Sequence, residues 1–123
     1  MASYQVVFFE KDDGSAPVED FINAQDDKMA AKIYGLLTMI SENGTELREP
    51  YSKFLEDGIF ELRAKVGSDI TRVLYFFYVG QRVVVTNGFV KKTMKTPPRE
   101  ISKAKACRKE YIRKEEAKKN ENT

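Results

Sequence analysis

The spacing of apolar residues changes repeatedly along this chain, and each change predicts a different element. Tyr4-Gln-Val-Val-Phe-Phe9 is a short apolar run that reads as a first strand, closed by the turn-forming segment Lys11-Asp-Asp-Gly-Ser15. Ser15 or Ala16 then leads into Pro17-Val-Glu19. Proline at an early helical position and acids in the first turn predict a short helix, with Phe21 and Ile22 on its apolar side. From Asp26 or Asp27 to Glu42, the residues Met29, Ile33, Leu36, Leu37 and Ile40 recur at i, i+3, i+4 spacing, the signature of a second helix. Asn43-Gly44 supplies its stop, and a loop is expected through Glu46 and Pro50.

The period then drops to two. Over 59–66, Phe60, Leu62, Ala64 and Val66 point one way and Glu61, Arg63 and Lys65 the other. Gly67-Ser-Asp69 turns the chain into 70–78, which is almost wholly apolar, as expected of a central strand covered on both faces, yet carries Arg72 near its start. Gly80-Gln81 leads into a strand at 82–86, and Asn87-Gly-Phe-Val90 runs on to Lys91-Lys92. Pro97-Pro98 breaks the chain before a basic final helix over about 99–118, supported only by Ile101, Ala104, Tyr111 and Ile112, with 118–123 expected to fray. The order predicts one α+β domain spanning 1–123: a small twisted antiparallel sheet, two N-terminal helices packed on one face, and a C-terminal helix. A chain of 123 residues can bury a core without staples.

Charge changes this picture. The formal net charge of +2 hides a strong polarity: residues 1–60 hold five Lys/Arg against twelve Asp/Glu, and residues 61–123 hold sixteen against seven. Cations of the second half sit inside strand-like runs, where a merely solubilising charge is out of place. A set of cations fixed on rigid strands is what a polyanion-binding or phosphate-cleaving surface needs.

The absence of histidine removes the Ser-His-Asp triad, zinc-histidine sites and the histidine-pair ribonuclease mechanism together. Catalysis must run on Lys, Arg, Asp, Glu or Tyr. A single cysteine, Cys107, excludes an internal disulfide framework and a multi-cysteine metal site. Its Lys/Arg-rich helix is a setting that lowers thiol pKa, but no histidine stands by as a base. No run approaches the roughly 18 apolar residues of a membrane span, and the N-terminus lacks a signal-peptide profile. The expectation is a cytoplasmic protein with no membrane partner.

Three ordered motifs then carry a family resemblance: Gly58-Ile-Phe-Glu-Leu-Arg63, Arg72-Val-Leu-Tyr-Phe-Phe77, and Gly88-Phe-Val-Lys-Lys92-Thr-Met-Lys95-Thr-Pro97. With the strand-helix-helix lead-in, they resemble the phage-derived HigB branch of the RelE/ParE toxin superfamily over nearly the whole chain, to about Tyr111. The resemblance implies a RelE-like fold and a type II toxin that cleaves messenger RNA on the ribosome. It also implies neutralisation by a helix-turn-helix antitoxin of the HigA kind. Better-known superfamily members carry an aromatic residue after the basic segment, where this chain has Pro97-Pro98, and Tyr111 lies well into the final helix.

The chemistry can be read beside the resemblance. Cleaving RNA without metal requires the 2′-hydroxyl to attack phosphorus, a proton to reach the leaving 5′-oxygen, and the crowded phosphorane to be held. Arg63 and Arg72 lie on neighbouring strands, and paired across the hairpin they converge on one phosphate with planar, permanently charged forks. Glu61, the one carboxylate inside the basic motifs, is the candidate base. Lys91, Lys92 and Lys95, just past the last strand, are placed to bring an ammonium to the leaving oxygen, without the sequence choosing among them as the acid. Lys92 is grouped with the catalytic set, and Lys65, Lys91, Lys95 and Arg99 with the candidate RNA contacts. No metal or cofactor is expected. Bland readings stand beside these: Glu61 as a solvated or bridging residue, Arg72 as its structural ion-pair partner, and the basic final helix as a solvated face. A gyrase-inhibiting toxin of the ParE kind and a non-catalytic RNA-binding domain remain the alternative functions.

Overall fold

The computed structural model describes residues 3–121. These run as β1 (Gln5–Phe8), α1 (Pro17–Asn23), α2 (Asp27–Asn43), a 3₁₀ turn at Gly44–Glu46, β2 (Ser52–Glu56), β3 (Ile59–Val66), β4 (Asp69–Tyr78), β5 (Arg82–Val90) and α3 (Pro98–Glu121). The five strands form one sheet in the order β1-β5-β4-β3-β2. β4 is the middle strand, which is why it is apolar on both faces.

Two expectations about the sheet are corrected. It is mixed, because β1 lies parallel to β5 while the other pairs are antiparallel. A strand that is followed by two helices before the chain re-enters the sheet is free to run parallel to a later neighbour. The sheet also gains β2 in a stretch read as loop or left unassigned. This edge strand is mostly exposed and shows no clean alternation, so its existence rests on ladder bonds to β3.

The helices divide between the two faces. α1 and α2 bury Val18, Ile22, Met29, Ile33, Leu36, Leu37 and Ile40 against Leu62, Ala64, Val73, Tyr75, Val83 and Val85. α3 covers the opposite face, where Ala104 is fully buried and Cys107 and Tyr111 pack against Ile59, Leu74, Phe76 and Val84. The architecture is therefore α+β with helices on both sides of the sheet. α2 starts as its sequence requires, with the Asp26 carboxylate accepting from the Met29 N–H at 2.8 Å. It ends at Gly44, whose φ of +53° and close cover by the Tyr4 ring both call for glycine.

The apolar stripe of α3 is thin, and its cations tie it to the loops around the sheet. Lys105 pairs with Glu56 at 2.7 Å, Arg108 with Asp57 at 2.8 Å, and Lys114 with Asp12 at 2.8 Å. Much of the basic character of this helix is thus spent inside the molecule. α3 also continues through Glu121, past the point where fraying was expected, and residues 122–123 lie outside the described residues. Among the described residues, no helix is long and apolar enough to cross a membrane.

Candidate active site

Antiparallel pairing of β3 and β4 places Arg63 directly opposite Arg72, so both side chains leave the α3 face of the sheet side by side. Like charges at that position repel. The compensation comes from Glu61, two residues before Arg63 on the same face: its Oε2 lies 3.5 Å from Nε of Arg63 and 3.5 Å from Nε of Arg72. The second Glu61 oxygen, Oε1, accepts the Thr96 hydroxyl at 2.6 Å. Glu61 is only 2% exposed.

Thr96 belongs to the segment between β5 and α3, which folds back over this face. The Lys91 N–H donates to the Ile70 carbonyl at 2.9 Å, holding the start of the segment to β4. At the other end, the buried Asn87 amide donates to the Glu100 carboxylate at 3.1 Å and so fixes the first turn of α3. Within the segment, Thr93 bonds the Lys95 carbonyl at 2.7 Å. The result is a cleft of about 290 Å³ lined by Lys53, Glu61, Arg63, Lys91, Lys95 and Thr96, with Arg72 buried behind the lining and joined to it through Glu61.

Cations outnumber anions here. Arg63 reaches Glu49 at 3.1 Å on the solvent side. Arg72 donates to the Thr71 carbonyl at 3.0 Å, while its Nε has no hydrogen-bond partner among the described residues: the 3.5 Å approach to Glu61 is an ion pair without hydrogen-bond alignment. Burial pulls the Arg72 guanidinium pKa below its ordinary value and Arg63 adds to this, with Glu61 opposing. The half-buried Lys91 is also lowered, chiefly by burial and then by Arg72, Arg63 and Lys53, against Glu61. The arrangement offers guanidinium forks and ammonium groups to a phosphate, and a lysine whose proton is easier to remove than usual.

Of the residues singled out from sequence, Glu61, Arg63, Arg72, Lys91 and Lys95 are brought together. Lys92 is exposed and outside the cleft lining, whereas Lys91 is one of the lining residues. Lys65 is exposed on β3, beyond the Arg63–Arg72 pair and opposite Ile70. Arg99 is exposed on α3 and lies 3.7 Å from Glu100. Lys53 and Thr96 were not anticipated. Lys53 sits directly opposite Glu61 on β2, the strand whose sequence carries little strand signal, and no local pattern marks Thr96.

Tyr111 belongs elsewhere. Its hydroxyl accepts from Arg82 at 2.8 Å, and Arg82 lies over the Tyr78 ring and pairs with Glu115, so this tyrosine anchors α3. Tyr111, Arg82 and Glu115 line a larger cavity of about 530 Å³ beside β1, where Arg82 and Lys118 pair with Glu115 and Lys114 pairs with Asp12. Cys107 is corrected too: burial raises its thiol pKa despite the nearby Lys11 and Lys103, the opposite of activation. Among the described residues, no three Asp, Glu or Cys side chains converge as a metal cage.

A family model described as phage derived protein Gp49-like (DUF891) matches residues 20–109, from within α1 to the middle of α3, and so includes every residue of the cleft. A comparison with curated proteins finds no match.

Proposed function

The chain belongs to the phage-derived Gp49-like family, a RelE-type toxin family associated with toxin–antitoxin systems. From that premise we propose that it is a toxin of the HigB kind: a metal-independent endoribonuclease that cuts messenger RNA on the ribosome and is held in check by a helix-turn-helix antitoxin. The observation that carries the reading is the cross-strand pair Arg63–Arg72, with Arg72 buried and its Nε without a hydrogen-bond partner among the described residues, beside Lys91 and Lys53. Buried cations without full partners are costly to keep, and a fold retains them most readily where an anion is to be bound. A surface that only docked a protein would have no use for so dense a set on rigid strands. This favours cleavage over gyrase inhibition.

In the proposed reaction the 2′-oxygen attacks phosphorus, the bond to the 5′-oxygen breaks, and the products are a 2′,3′-cyclic phosphate and a 5′-hydroxyl. Arg63 and Arg72 hold the non-bridging oxygens as charge builds on them. The cleft lysines exchange the two protons, and Lys91 is best suited because burial and neighbouring cations lower its pKa toward the working range. The exposed Lys92, Lys65 and Arg99 remain available to the RNA backbone outside the cleft.

The test is to add purified protein to translating ribosomes and map transcript ends, with a free RNA fragment in chelator as the parallel arm. Cuts inside the reading frame bearing 2′,3′-cyclic phosphate and 5′-hydroxyl ends are expected. Intact transcripts would remove the enzyme reading, and 5′-phosphate ends would mean that water is the nucleophile.

A further inference from the structure

A general base must present a free oxygen to the substrate hydroxyl, and although Glu61 lines the cleft, both of its oxygens are already engaged. Its side chain is 2% exposed, Oε2 bridges two arginines at 3.5 Å each, and Oε1 is taken by Thr96 at 2.6 Å. The contacts instead describe a junction. On each arginine the Glu61 approach is made at Nε, close to the stem, which constrains the separation and tilt of the two guanidinium planes, while an outer nitrogen of Arg63 meets Glu49 at 3.1 Å and one of Arg72 donates to the Thr71 carbonyl at 3.0 Å. Through Thr96, the same carboxylate holds down the 91–97 segment that brings Lys91 and Lys95 to the cleft. Without a counter-charge, two arginines placed directly opposite across antiparallel strands would splay apart.

Resting on the endoribonuclease reading, we propose that Glu61 is a positioning residue: it sets the Arg63–Arg72 pair and docks the lysine-bearing segment, and the proton of the attacking hydroxyl goes to a cleft lysine in its neutral form while a second, protonated lysine supplies one to the leaving 5′-oxygen. Three groups that bind the phosphate and move protons are then held by one carboxylate, and losing it disturbs all three at once. A misplacement of about 1 Å in such a set costs on the order of 100-fold in rate.

The experiment pairs Glu61→Gln, which keeps the shape and an oxygen for Thr96, with Thr96→Val, which removes only the link to the segment. The rate of cleavage of an RNA substrate is measured against pH, with thermal melting as the fold control. Positioning predicts that Glu61→Gln loses roughly 10- to 100-fold in kcat while its pH profile runs parallel to that of the wild type. KM should stay level or fall, because the cleft becomes more positive. Thr96→Val should show a smaller loss of the same kind, and the double variant should lose less than the product of the two. An acid limb that disappears on Glu61→Gln would identify Glu61 as the base and overturn the proposal, as would an unchanged kcat.

A second readout does not depend on catalysis. The side-chain Nε–H resonances of Arg63 and Arg72 are followed by NMR in the wild type and in Glu61→Gln. Protected signals that broaden or move together in the variant support the junction, and signals indifferent to the substitution refute it. If the wild type cleaves no RNA, the endoribonuclease reading falls and this second readout alone decides the role of Glu61.

Discussion

Replacing Arg72 by Met tests the site most directly, because it removes the charge while keeping the aliphatic stem that packs on the sheet. Two effects must be separated. The first is catalytic: losing one preorganised donor to a developing oxyanion costs roughly 100- to 1000-fold in rate, about 2.7–4 kcal/mol. The second is structural. A buried charge stripped of its partners costs about 3–5 kcal/mol, but Glu61 keeps Arg63 at 3.5 Å and Thr96 at 2.6 Å, so it is not stranded. Relief of the Arg63–Arg72 repulsion offsets part of what remains. A loss of about 1–2 kcal/mol is expected, lowering the melting temperature by roughly 3–10 °C in a domain of this size.

The assay is growth arrest on induction, backed by the cleavage rate of purified protein at a temperature well below its melt. Arg72→Lys should recover little, since an ammonium restores the charge without the planar fork. The reasoning fails if Arg72→Met cleaves within a few-fold of wild type. It also fails if the lost activity follows the unfolded fraction, in which case Arg72 is a structural ion-pair residue and nothing more.

Three further outcomes are expected. Gly88→Ala should cost about 1–3 kcal/mol in chemical denaturation, because an added methyl would overlap the Phe21 ring that packs α1 onto β5; an unchanged midpoint would show that α1 can shift freely. Tyr75→Phe should cost about 1–2 kcal/mol near neutral pH by breaking the buried bond to Ser52 at 2.5 Å. Burial raises the Tyr75 pKa from 10.0 to about 12, so its stabilising contribution is complete below about pH 10 and is lost as pH rises through 12; Tyr75→Phe should therefore lose stability less steeply than wild type across that window, as measured by melts. Tyr111→Phe should cleave RNA at the wild-type rate while losing about 0.5–1.5 kcal/mol of stability through its bond to Arg82, and a large fall in cleavage without unfolding would return Tyr111 to the site.

Elements whose signals are local were legible in the chain. The i, i+3, i+4 run from Met29 to Ile40, the alternation of 59–66 and the two-sided apolar character of 70–78 all depend on the periodicity of a helix or a strand. The structure realises them as α2, β3 and the central strand β4. Because alternation also assigns faces, it was enough to place Glu61 and Arg63 together, opposite the helical core formed with Leu62 and Ala64. The short hairpin that sets Arg63 against Arg72 was legible too, but what depended on long-range pairing was not. The parallel entry of β1, the edge strand β2 and the choice of face for α3 arise from long-range ladder bonds and from ion pairs between residues about 50 or more positions apart, such as Lys105 with Glu56 and Lys114 with Asp12. The same holds inside the cleft. That the second half of the chain carries a phosphate-binding set follows from composition and motif, but which lysine faces inward, and that Thr96 closes over the Glu61 carboxylate, follow only from how the 91–97 segment folds back across the sheet. Periodicity is a property of neighbours in the chain, whereas register and burial are settled by partners that meet only when the sheet is assembled.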